Sequence, residues 1–268
     1  MRARKRFGQH FLEPAWVDKV VRAIDPKADE VFIEIGPGRG ALTRPLAARA
    51  KAVVAYEIDR DLAAELRAEG LPNVTVVEGD FLETLNPDSQ IPSPESLRVA
   101  GNLPYNVASP IMFKLAELFA AGLPFADATL MLQREVADRL VAKPGTREYG
   151  VLSVLLQHVA DIQLILKLPA GAFRPPPKVL SALVRLRFHA PDPAVASAEI
   201  FADLVRSVFT RRRKTLSNAL LAVENRGRES LSERVSSLEQ AGLDGRRRPE
   251  TLTVAEFARL ADAYAAPR

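Results

Sequence analysis

The stretch "EVFIEIGPGRGALT", residues 30–43, joins an apolar strand-like run to a loop with glycine at 36, 38 and 40 and then to a helix start. Gly36, Gly38 and Gly40 permit a tight turn and let a ligand approach the backbone closely, while the first amides of the helix are free to donate. A glycine loop after a strand is also the simplest strand-to-helix turn, so the surrounding sequence has to discriminate.

Outward from this loop, "AVVAYEID" (52–59), "NVTVVEGD" (73–80), "LRVAGN" (97–102) and "DATLMLQ" (127–133) read as further strands. The segments 41–50, 60–70 and 109–122 read as helices between them. Strands separated by helices at this spacing predict a parallel, helix-covered, Rossmann-like α/β sheet. "GVLSVLLQHV" is helical in pattern. "ADIQLILKL" and "VLSALVRLRF" then form two strand-like runs around "PAGAFRPPPK", too short for a crossover helix, which predicts an antiparallel hairpin at the sheet edge. The Pro, Ala and Asp-rich segment 189–200 marks a change of composition. The division is therefore a domain over 1–189 and a small all-helical domain over 190–268, the latter signalled by Phe201, Leu204, Val205, Val208 and Phe209 at helical spacing.

The chain has 268 residues, 47% hydrophobic and 26% charged, with no cysteine and three histidines. That composition fits a globular protein and excludes disulfides and thiolate zinc sites; no metal centre is expected. No apolar run reaches membrane-spanning length, and the basic start lacks a signal-peptide core, so the expectation is a cytoplasmic protein without a membrane partner. Net charge is only +4, but positive charge gathers in three runs: Arg2, Arg4, Lys5 and Arg6; Arg211, Arg212, Arg213 and Lys214; Arg246, Arg247 and Arg248. One run alone is as well read as a solvated face, whereas three favour a polyanionic partner.

The acids at successive strand ends narrow the ligand. Glu57 closes the second strand, where a carboxylate accepts ribose hydroxyls, and Asp80 closes the third, where it could accept an adenine amino group with Phe81 beside it to stack. A dinucleotide fingerprint needs its third glycine one residue later than Gly40. Glu34, just before the glycines, would repel a pyrophosphate and suits the sulfonium and ammonium of S-adenosylmethionine. Asp59 and Asp80 could each be a helix N-cap, which does not account for the set.

"AGNLPYNV" (100–107) follows the fourth strand. Pro104 fixes its own φ and biases Leu103 to an extended conformation, so the turn presents backbone carbonyls in a preset direction. An exocyclic aromatic amine is a poor nucleophile because its lone pair is delocalised. If the Asn102 side-chain oxygen and the carbonyl of Leu103 or Pro104 hold both hydrogens, the nitrogen can turn pyramidal toward a methyl donor while Tyr105 stacks on the base. The bland alternative is a strand-end turn.

"FGQHFL", "EIGPGRGALT", "YEIDRDL", "GDFL", "NLPYN", "LQREVADRL", "YGVLSVLLQ", "FRPPPKVLSALVRL" and "FTRRRKTLSNAL" together resemble, in order and from residue 5 to the C-terminus, the rRNA adenine N(6),N(6)-dimethyltransferases, most closely the bacterial small-subunit branch. The resemblance implies a class I methyltransferase domain with a helical C-terminal domain, S-adenosylmethionine as cofactor, and dimethylation of two adjacent adenosines in the 3′-terminal hairpin of 16S rRNA within the assembling 30S particle, by a monomer. It implies a donor site of His10, Leu12, Gly36, Gly38, Glu57, Ile58, Asp80, Phe81 and Asn102. Many members carry asparagine where this chain has His10; a backbone contact survives that change. It also implies Phe173 as a second aromatic opposite Tyr105, and the basic runs, Arg4, Lys5 and Arg6 among them, as phosphate contacts. Two other readings remain: a large-subunit methyltransferase of the macrolide-resistance type, and an RNA-binding assembly factor with little catalysis. A DNA adenine methyltransferase is a weaker third.

Overall fold

The computed structural model describes residues 10–86, 96–224 and 237–265. Its centre is β2 (Val31–Ile35), every residue of which is buried. Such a run, buried on both faces, belongs in the middle of a parallel sheet with helices on either side. β3 (Ala52–Glu57) pairs with it in parallel on one flank and β5 (Leu97–Asn102) on the other. With β4 (Val74–Glu78), β6 (Phe125–Gln133), β7 (Ala160–Leu168) and β9 (Ser181–Phe188) the full order is β4-β3-β2-β5-β6-β9-β7. β9 runs antiparallel to β6, and β7 takes the outer place beside β9, closing the edge as expected.

Chain order reverses direction across the sheet between β2 and β5. That is the switch point outside which open α/β sheets bind ligands, at the carboxyl ends of the strands. The register brings those ends level: Ile35 faces Tyr56 on one side and Gly101 on the other. The opposite end of β5 is a scaffold. Arg98, 8% exposed, donates to both carboxylate oxygens of Asp127 at 3.0 and 2.9 Å, to Glu30 at 2.8 Å and to the Ile24 carbonyl at 2.8 Å. One guanidinium thus ties β5 and β6 to the end of α1 (Pro14–Ile24).

The helices α2 (Thr43–Ala47), α3 (Arg60–Ala68) and α5 (Ala108–Ala120) lie between strands as anticipated, although α2 is half the length anticipated from its pattern. Asp59 caps α3 by accepting the Asp61 amide at 3.1 Å. Two elements escape the strand-by-strand reading. α1 begins with proline at its first position and buries Val20, Val21 and Ile24. β1 (Phe11–Leu12) pairs antiparallel with β8 (Phe173–Arg174), Phe11 opposite Arg174 and Leu12 opposite Phe173.

The chain separates into two compact units, one of residues 1–137 with 161–188 and one of 138–160 with 189–268. The second unit therefore includes 138–160, where the sequence drew a single boundary at 189/190. It contains α7 (Val151–Gln157), α8 (Ala198–Phe209), α9 (Leu216–Ala219), α10 (Leu221–Glu224) and a terminal helix, Val254–Ala265. Ser197 caps α8 by accepting the Ile200 amide, and the rings of Phe209 and Phe257 meet at 5.8 Å in the core. His158 is buried against Phe201 and bonds the Pro193 carbonyl at 2.7 Å, a structural role.

Candidate active site

A cleft at the switch point is lined by His10, Phe11, Leu12, Glu34, Gly36, Pro37, Gly38, Ala41, Leu42, Glu57, Ile58, Asn102, Leu103, Pro104, Tyr105 and Met131. One wall is the loop after β2. Gly38 has φ 58°, the left-handed region, and a Cβ there would meet the Phe11 ring at 3.3 Å. Its amide donates to Glu57 Oε2 at 2.9 Å, and the Asp59 amide donates to Oε1 at 2.8 Å. Glu57, 5% exposed, thus holds the loop in shape, and each of its oxygens keeps acceptor capacity for a ligand hydroxyl. Burial pushes its carboxyl above the ordinary value, opposed by these backbone donors.

Glu34 is 1% exposed and its Oε2 has no hydrogen-bond partner. Burial raises its carboxyl to about 7; the nearby Thr43 hydroxyl opposes the rise, and the negative charge of Glu57 adds to it. A cation placed beside this unpartnered oxygen would favour the ionised form that burial and the second carboxylate disfavour.

The other wall is the turn after β5. Asn102 Nδ2 donates to the His10 carbonyl at 2.8 Å, which turns its Oδ1 into an acceptor for something else. The Pro104 carbonyl closes the turn by accepting the Val107 amide at 3.2 Å, so the Leu103 carbonyl is the backbone acceptor that the turn does not use. The Leu103 amide is itself fixed to the Met131 carbonyl at 3.2 Å. Tyr105 shares a hydrogen bond with Ser181 Oγ at 3.1 Å, and its ring stacks on His10 at 5.6 Å and 24° between planes.

Of the residues singled out by sequence, His10, Leu12, Gly36, Gly38, Glu57, Ile58, Asn102, Leu103, Pro104 and Tyr105 converge on the cleft. Three do not line it. Asp80 is the N-cap of α4 (Phe81–Thr84), its Oδ1 accepting the Leu82 amide at 2.9 Å. Phe81 is 4% exposed, with its ring edge-on to Tyr56, so it presents no face to the cleft, which Ile58, 49% exposed, does line. Phe173, 2% exposed, belongs to the core cluster with Leu12 and Met131, so in this conformation it offers no face to a base. Strand-end position identified Asp80 and Phe81, and the resemblance implied Phe173; neither tells an inward ring from an outward one. Phe11 and Met131 were missed; Met131 sits level with Asn102 on the neighbouring strand, a position its place near the end of β6 could have revealed.

The basic runs sort in the same way. Arg4, Lys5 and Arg6, like Arg2, lie outside the described residues. Arg212 is paired with Glu250, Arg247 with Glu256, and Arg246 with Asp244, while Arg211 donates to the Asn218 carbonyl at 3.2 Å. Arg213, Lys214 and Arg248 are exposed and make no ion pair among the described residues. Amides of Leu216 and Ser217 bond the carbonyls of Arg247 and Gly245, so two runs distant in sequence are neighbours. Among the described residues no group of histidine and carboxylate side chains could hold a metal ion, and no helix is long and apolar enough to cross a membrane.

A parallel sheet with an antiparallel edge, a glycine loop at its switch point and a buried carboxylate with one unpartnered oxygen are the features of a class I, S-adenosylmethionine-dependent methyltransferase. The orphaned Glu34 oxygen fits the cationic donor, the Gly38 backbone leaves the space that a side chain would fill, and Ile58 fits its adenine. The chain belongs to the ribosomal RNA adenine dimethylase family, matching it over residues 1–261. It is 44% identical over 266 residues to the ribosomal RNA small subunit methyltransferase A of Acinetobacter baylyi, covering 97% of this chain and 92% of that one. To the protein of that name from Xylella fastidiosa it is 40% identical over 265 residues, covering 97% and 96%. Among solved structures it resembles a dimethyladenosine transferase from Plasmodium falciparum, with TM-score 0.76 and 27% identity over 94% of this chain and 96% of that one. It also resembles the 23S rRNA methyltransferase ErmE, with TM-score 0.67 and 30% identity over 96% and 100%.

Proposed function

We propose that the protein transfers methyl groups from S-adenosylmethionine to the 6-amino groups of two adjacent adenosines in the 3′-terminal hairpin of small-subunit (16S) rRNA, making each N(6),N(6)-dimethyladenosine, within the assembling 30S particle. The observation that carries this reading is the setting of Asn102. With Nδ2 committed to the His10 carbonyl, Oδ1 is a fixed acceptor at the same sheet edge as the Glu34 carboxylate and the glycine loop.

Bound S-adenosylmethionine supplies an electrophilic methyl on a sulfonium. The chain's own work is to prepare the acceptor. Asn102 Oδ1 and the Leu103 carbonyl take the two amine hydrogens, which draws the nitrogen lone pair out of conjugation. Tyr105, held by Ser181, stacks on the base and keeps the amine in line. Once methylated the nitrogen is cationic and its proton acidic enough to pass to water, with neutral S-adenosylhomocysteine as the other product, so the chemistry calls for no strong base. After the first transfer one hydrogen remains, and a single acceptor, Asn102, is sufficient to orient it again.

The helical unit and its exposed Arg213, Lys214 and Arg248 are proposed to contact phosphates, and Asp80 and Phe81 to contribute to the donor site from behind its wall. The relatives named for the small subunit favour 16S over 23S rRNA as substrate. The test is labelled methyl transfer to undermethylated small subunits and, in parallel, to large-subunit rRNA, followed by digestion to nucleosides. Dimethyladenosine from the small subunit alone is expected. Label in large-subunit RNA would move the protein to the other branch, and donor binding without transfer would make it an assembly factor.

A further inference from the structure

One face of the Tyr105 ring is covered by the chain itself. The His10 imidazole stacks on that ring at 5.6 Å, and its Nδ1 bonds the Pro175 carbonyl at 2.7 Å. The His10 backbone is fixed separately: its carbonyl holds Asn102, and the next two residues pair with β8. The ring can therefore turn on its side-chain torsions without releasing the acceptor amide. Phe173, paired with Leu12 in that same ladder, is buried. The aromatic ring positioned to face Tyr105 at the cleft is His10.

We propose that His10 is a positioning residue for the acceptor base, forming the second wall of the slot opposite Tyr105, so that the target adenine is held between imidazole and phenol. This rests on the adenine-methyltransferase reading above and extends it to a residue where many family members carry asparagine. A base between two rings needs roughly 7 Å, two contacts of about 3.5 Å each. The imidazole reaches that spacing by giving up the Pro175 bond and moving outward. The adenine replaces the imidazole on the face of Tyr105 and gains a stacking partner on its own far side. Adenine leaving an RNA helix loses its neighbours, and a second aromatic face offsets part of that loss.

Three substitutions separate the ring from its hydrogen bond. His10→Phe keeps a stacking face and loses the bond to Pro175; His10→Asn keeps a polar group and loses the face; His10→Ala loses both. All three keep the carbonyl that holds Asn102. With undermethylated small subunits as substrate, the expected result is a KM for the particle raised about fivefold or more in His10→Ala and His10→Asn. kcat should fall by less than KM rises, His10→Phe should recover most of the loss seen in His10→Ala, and any change in donor affinity by calorimetry should be smaller than the change in KM. A KM in His10→Ala equal to or below that of wild type would overturn the inference, because the ring would then only obstruct the slot. A KM in His10→Phe as poor as that of alanine would also overturn it, placing the effect in the Pro175 bond. If wild type itself forms no methylated adenosine, the functional reading fails and the inference falls with it. An active wild type with an unaffected alanine variant removes the inference alone.

Discussion

At the scale of single residues, Glu34 is the group whose state the cofactor should control. Its ordinary value is 4.5 and burial lifts it to about 7. Below about pH 4.5 the carboxyl is neutral in folded and unfolded chains alike. Between about pH 4.5 and about pH 7 the unfolded chain ionises this group in water while the folded protein keeps its buried proton, so stability is lost across that window and levels off above it. Glu34→Gln should therefore stabilise the donor-free protein at about pH 8, by the order of 1–3 kcal/mol, and leave it unchanged near pH 4. Thermal melts at the two pH values check this. Donor affinity should run the other way, because a cationic ligand pairs with the ionised form. Calorimetric affinity should strengthen from about pH 6 to about pH 8 in wild type and stay flat in Glu34→Gln. A wild-type profile as flat as that of the variant would mean Glu34 does not face the cation.

At the scale of elements, the site depends on how closely β2 and β5 approach. Gly101 pairs with Ile35, and a Cβ on it would come within 2.7 Å of the Ile35 carbonyl oxygen, a backbone atom that cannot give way. Gly101→Ala should force the strands apart one residue before Asn102, costing about 1–3 kcal/mol of stability and lowering methyl transfer at temperatures where the variant remains folded. Unchanged melting and unchanged kcat would show that the edge relaxes freely. The five parallel strands were legible because each is a compact apolar run between turn signals, and the glycine loop and "NLPYN" mark the cleft in the sequence alone. α1 was less so: Val17, Val20, Val21 and Ile24 repeat at helical spacing, but over only about two turns. The β1–β8 ladder was not legible at all: two residues carry no periodicity, and their partners lie far along the chain. That ladder positions Phe173, and the ring that the resemblance implies for the base slot lies in the core cluster in this conformation.

At the scale of the whole molecule the net charge is +4, and the basic runs are less free than their sequence suggests, because several of their arginines are paired with carboxylates. Arg212 and Arg247 are each paired with a glutamate in the helical unit, so reversing them would test folding as much as RNA binding. The informative variant is Arg213→Glu with Lys214→Glu, both exposed. Particle affinity should weaken, and the slope of its logarithm against log salt should fall by roughly two, one for each phosphate no longer neutralised. Donor affinity should not change. An unaltered salt slope would remove this cluster from the RNA-binding surface.

The central claim is that Asn102 prepares an adenine amine for two successive transfers. Mass spectrometry of nucleosides from the 3′-terminal fragment of 16S rRNA, after undermethylated small subunits have been incubated with S-adenosylmethionine and either wild-type or Asn102→Ala protein, tests it most directly. The prediction is N(6),N(6)-dimethyladenosine at both adjacent positions with wild type, and a rate lower by about 10²–10³ with the variant. Dimethylation by Asn102→Ala at near wild-type rate, or wild-type product that stops at the monomethyl stage, would contradict it.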